Sequence, residues 1–182
     1  MENNNQSTYK LILYTLLAVV FSFMVHEFAH WTLGEFLGYE MRMTLNTVYP
    51  IARKYNQDWH HHVISSVGPL TTLLQAIIFY FLIKKYSNRN LYPFLFTCFY
   101  LELLSGIVSF SNPNDLGRVS RYLNLGLFTL PILFTAIQFT LLYKTTKREG
   151  YERKFVVSIL LLIILFSSIW ILTNQKFKVA LI

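Results

Sequence analysis

The chain is short of charge, of cysteine and of acid. Charged residues make up 14% of its 182 positions, whereas a soluble domain carries about a quarter. Too few ionic groups exist to solvate the outside of a water-borne fold of this size. The single cysteine, Cys98, excludes an intramolecular disulfide framework. Asp and Glu together number 9, and the only aspartates are Asp58 and Asp115. No basic run is interleaved with aromatics that would stack on bases. The 16 Lys and Arg and the net charge of +7 therefore read as charges at a bilayer surface, with no nucleic-acid partner.

Apolar residues are abundant: 54% of the chain is hydrophobic and 17% aromatic. They gather in runs at residues 11–25 (continuing through HEFAHWTL), 63–83, 91–110, 122–143 and 155–175. Each run approaches the ~20 residues a helix needs to cross a hydrocarbon core. This pattern predicts an all-α polytopic membrane protein, one membrane domain with about five transmembrane helices. The connector at residues 38–62 is different. Met41, Met43 and Leu45 alternate with polar neighbours and a second extended candidate follows Pro50, which predicts a short membrane-associated β-hairpin between helices 1 and 2.

The chemistry is carried by few residues. His26, Glu27 and His30 form HEFAH, an H-E-x-x-H pattern on the later half of the first apolar run. Residues i and i+4 share a helix face, so both imidazoles reach one metal ion while Glu27 stands beside them as a proton acceptor. From this composition the pattern arises by chance on the order of once in two hundred such sequences. Three ionisable side chains within five residues of a membrane helix also need a compensating partner, and a divalent metal supplies one. The remaining histidines, His60, His61 and His62, are consecutive. Three adjacent rings cannot converge on one ion from a helix, so the triplet is expected in an interfacial loop before the second span.

A catalytic zinc takes three protein ligands and keeps one position open. Asp58 sits among polar residues, where a solvated role is expected. Asp115 follows the third apolar run in SNPNDLGR, where Pro113 and Gly117 interrupt the helix. The first and third spans run in the same direction, which brings HEFAH and Asp115 to one membrane depth. Glu102, alone in the apolar stretch YLELLSG, is the alternative third ligand or a residue contacting the ligands, because a carboxylate there is a functional candidate.

These motifs resemble the site-2 protease family of intramembrane zinc metalloproteases. HEFAHWTLGEFLG is similar to the family's H-E-x-x-H helix and the glycine that ends it, here Gly38. The alternating stretch that follows is similar to its β-hairpin, SSVGPLTTLLQA to its glycine-proline motif, and NPNDLGR to its Asn-Pro and Asp-Gly motif. The likeness covers most of residues 11–121, a three-helix protease-like core. Residues 122–182 would add two helices, with no PDZ or nucleotide-sensing domain.

The resemblance implies Zn2+ held by His26, His30 and Asp115, with Glu27 as catalytic base and Thr72 and Asn112 positioning substrate. It implies hydrolysis of peptide bonds in or near the membrane segment of a membrane-spanning protein or peptide, inside a lipid bilayer. The reading from a different class is a catalytically inactive protease-like scaffold that binds membrane partners. Two departures stand out: Asp115 is followed by Leu116 with Gly117 one place on, and Thr71 and Thr72 replace the asparagine often found after Gly-Pro.

Overall fold

The computed structural model describes residues 2–182, with side chains from Thr8 onward. Its elements in chain order are α1 (Glu2–Phe36), β1 (Met41–Met43), β2 (Val48–Pro50), α2 (Asp58–Tyr86), α3 (Tyr92–Val108), α4 (Asp115–Tyr122), α5 (Thr129–Glu149) and α6 (Arg153–Phe177). Among the described residues, four segments are long and apolar enough to cross a membrane: Thr8–Phe36, Asp58–Tyr86, Arg89–Val108 and Arg153–Phe177. The molecule is thus an all-α polytopic membrane protein carrying one small hairpin.

The remaining expected span, residues 122–143, is shifted. Tyr122 closes α4, and Asn124 and Gly126 take positive φ of 58° and 84°, left-handed conformations that break the helix. The chain resumes as α5, a 21-residue helix that is long enough to span. It carries Thr135, Gln138, Thr140 and Thr145 and ends in KREG, and it falls outside the apolar set.

The core forms where the long helices meet. Val19 of α1, Ile83 of α2, Leu95 and Cys98 of α3, and Ile159 and Ile163 of α6 are buried there. Large apolar side chains also cover the outside, among them Leu74, Phe81, Leu161 and Leu172, each more than half exposed. In water such a surface would aggregate; against lipid tails it is matched.

Helix α1 ends at Phe36 and the turn after it is closed by Gly38, whose φ of +83° favours glycine. The chain then turns into the antiparallel hairpin, with Met41 opposite Pro50, Arg42 opposite Tyr49 and Met43 opposite Val48. The second strand precedes its expected place, ending at Pro50. Arg53 beyond it has φ +54°, which extended pairing cannot accommodate. The histidine triplet is also placed differently: His60, His61 and His62 lie in the first turns of α2. Asp58 favours that helix start by countering the N-terminal dipole, and its carboxylate stands 3.6 Å from His62 Nε2.

The expected loop at 111–121 is mostly the short helix α4. Asn114 precedes it in extended geometry, its N–H bonded to Ser109 Oγ at 3.1 Å. Asn114 Nδ2 donates to Ser105 Oγ at 3.0 Å. These bonds tie the start of α4 to the end of α3 and turn Asp115 back into the bundle. Gly117 permits the return, since a Cβ there would stand 2.9 Å from Ser109 Oγ.

Candidate metal centre

Helices α1, α2 and α4 build one site. His26 and His30 project from the same face of α1, their Nε2 atoms 3.2 Å apart. Asp115, in the first turn of α4, brings Oδ2 to 3.5 Å from His26 Nε2 and 3.7 Å from His30 Nε2. For a zinc with ligands at about 2.1 Å, a tetrahedron has edges of about 3.4 Å. The three observed edges bracket that value. Among the described residues, this trio is the one group of His, Cys, Asp or Glu with ligand atoms close enough to share a metal.

The tautomers are set from behind. Thr72 Oγ1 donates to the Gly68 carbonyl at 3.1 Å, leaving a lone pair for His26 Nδ1–H at 2.8 Å. His30 Nδ1–H donates to the Ile64 carbonyl at 2.5 Å. Each ring keeps its proton on Nδ1 and turns the Nε2 lone pair toward the other ligands, an outer contact that fixes metal-binding histidines. On the third ligand, Arg118 Nη2 donates to Asp115 Oδ1 at 2.7 Å, and its Nε donates to Ser65 Oγ at 3.3 Å. Oδ1 is thereby occupied and Oδ2 left to the imidazoles.

Helix α2 makes room for this arrangement at Gly68. A Cβ built there would collide with His30 Nε2 and stand 2.7 Å from His26 Nε2. Only glycine leaves free the space bordered by both ligand nitrogens. The donor set, its spacing and this cradle all fit a tetrahedral divalent metal.

The three side chains line a cavity of about 570 Å³. Glu27, 7% exposed, lines it beside the ligands, and Asn46 to Pro50 of the hairpin form one wall. Hydrogen bonds join Thr44 to Thr47 and Ile51 to Glu40. By antiparallel alternation, Val48 therefore turns its N–H and C=O away from β1. Pro50 gives that edge no N–H, and its carbonyl already accepts from the Arg53 N–H at 2.9 Å. Tyr55 and His61, stacked at 4.7 Å, also border the cavity. Burial raises the Tyr55 phenol, so it remains a neutral donor.

The remaining expected site residues fall elsewhere. Thr72 is fully buried and faces His26, not the cavity. Asn112 is exposed and does not line the cavity; Asn114 does. Glu102 is 2% exposed with its Oε2 unpartnered, and it lies outside the ligand trio. The contributions of Arg118, Ser65 and Gly68 were not anticipated. The i, i+3 spacing of Asp115 and Arg118 was the available signal for the first. Compared with protein-family profiles, curated proteins and solved structures, the chain matches none.

Proposed function

We propose that the protein is an intramembrane zinc metalloprotease that hydrolyses peptide bonds in or near the membrane segment of membrane-bound substrates. The observation that carries this reading is the metal-sized triangle of His26, His30 and Asp115 beside Glu27, lining a cavity walled by an open strand edge. Bound zinc would supply Lewis acidity, polarising the scissile carbonyl and acidifying the attacking water. Glu27 is the proton carrier: it accepts a proton from that water and returns it to the departing amine nitrogen as the C–N bond breaks. Its burial beside the histidines keeps bulk water from competing for that proton.

A helical substrate hides its carbonyls in i to i−4 bonds, so it must unwind before attack. The Val48 edge can receive the extended segment by strand addition. The test is Glu27→Gln, assayed on a co-expressed, doubly tagged single-span membrane protein. The variant should retain its metal and lose cleavage by about a hundredfold or more. Cleavage at the wild-type rate would refute the assignment.

A further inference from the structure

The hairpin that walls the cavity is too short to hold its own shape. Each strand has three residues, and an isolated two-stranded hairpin is marginal even at greater length. Helix α1 holds the strands, with Met41 N–H donating to Glu35 Oε1 at 2.8 Å and Met41 and Val48 packed against Trp31 and Leu33, and the far end of the chain holds the turn. Asn174 of α6, 7% exposed, accepts from the Leu45 N–H through Oδ1 at 3.2 Å. Its Nδ2 donates to Thr44 Oγ1 at 3.2 Å and to Asn46 Oδ1. Trp170 Nε1, one turn earlier, donates to the Leu45 carbonyl at 2.8 Å. The hairpin turn is therefore held by two side chains of a helix that lies outside the protease-like core.

The tail after α6 completes the restraint. Met43 N–H donates to the Ile182 carbonyl at 3.1 Å, Leu181 N–H donates to the Met43 carbonyl at 2.9 Å, and Thr44 bridges Ala180. The outward N–H and C=O of Met43 are thus taken, which leaves for strand addition the Val48 edge that lines one cavity with His26, His30 and Asp115. Neither Asn174 nor the tail touches those ligands.

The geometry points to Asn174 as a positioning residue for substrate: with Trp170 and the 180–182 strand it sets the height and register of the Val48 edge over the metal centre. This inference rests on the proteolytic reading and deepens it. The metal and the docking edge are then separable parts, and two probes separate them. Acetohydroxamate reads the metal alone, whereas a hydroxamate on an extended Val/Thr peptide reads metal and edge together.

The experiment measures both affinities, with zinc content, on purified full-length protein. Asn174→Ala should weaken the peptide hydroxamate by about tenfold, the worth of about one or two docking hydrogen bonds held out of register. It should leave acetohydroxamate affinity and zinc content within about twofold of wild type. A second variant carries Thr44→Cys and Ala180→Cys in a Cys98→Ala background. Residues paired across antiparallel strands lie within disulfide reach, so oxidation should pin the hairpin to the tail. Combined with Asn174→Ala, the cross-link should restore the peptide affinity.

Equal retention of both probes by Asn174→Ala would overturn the inference. So would parallel loss of both probes together with zinc, which would mark Asn174 as a support of the whole fold. A wild-type protein that binds zinc and acetohydroxamate but leaves the tagged substrate uncut would refute the proteolytic reading instead.

Discussion

Gly68→Ala adds one methyl group at the most sensitive point of α2. The new Cβ would lie 2.7 Å from His26 Nε2 and closer still to His30 Nε2, where carbon and nitrogen normally stay about 3.5 Å apart. Relief therefore needs a displacement of about 0.8 Å at His26 and more at His30. Neither ring can swing away freely, because His26 Nδ1 is held by Thr72 at 2.8 Å and His30 Nδ1 by the Ile64 carbonyl at 2.5 Å. Metal coordination tolerates distance errors of about 0.2 Å, so the required shift is several times the tolerance.

Zinc affinity should fall by at least about a hundredfold, which corresponds to about 2.8 kcal/mol, while overpacking costs the fold about 1–3 kcal/mol. The assay is zinc per folded protein by elemental analysis after size exclusion, with competitive chelator titration for affinity. Gly106→Ala is the control. Its Cβ would meet Pro131 Cβ at an ordinary 3.6 Å, and zinc content should be unchanged. A monodisperse Gly68→Ala protein with one zinc at wild-type affinity would refute the placement of the metal between α1 and α2.

Three further outcomes follow from the same geometry. Thr72→Val, which keeps shape but removes the acceptor for His26 Nδ1–H, should lower zinc affinity by about 10–100-fold, and Thr72→Ser should preserve it; equal affinities in a chelator titration would count against the tautomer argument. Asp115→Asn should abolish stoichiometric zinc whereas Glu102→Gln should retain it, and elemental analysis showing the reverse would move the third ligand to Glu102. Arg118→Met removes the donor to Asp115 Oδ1 and should weaken zinc by about tenfold. Arg118→Lys should restore little of this loss, since a single ammonium cannot bridge Asp115 and Ser65 as the guanidinium fork does; full restoration would mean that charge alone is sufficient.

How much of this molecule could be read from its residues depended on the range of the interactions involved. The apolar runs of α1, α2, α3 and α6 were legible because crossing a bilayer imposes a length and a composition on each helix separately. HEFAH was legible because both histidines sit on one helix face, a spacing that local geometry fixes. Asp115 was harder: the sequence brought it to the same membrane depth but left Glu102 in competition. The choice depends on how the eight-residue α4 is placed, which is fixed by the bonds from Asn114 to Ser105 and Ser109 that aim it inward.

The break at residues 123–128 was hidden for a related reason. LNLGLF reads as apolar, and its end as a helix depends on left-handed Asn124 and Gly126, which hydropathy does not register. Contacts spanning more than a hundred residues left no trace of their partners. Nothing in Leu45 or Asn46 announces a partner at Asn174, yet the polar pair Asn174 and Gln175 sits at the end of the most apolar run. Asn174 is buried, and a buried amide on a membrane helix is costly unless it is satisfied. That cost is a signal of contact without an address. Here it marks the helix end that bonds the hairpin turn at Thr44, Leu45 and Asn46.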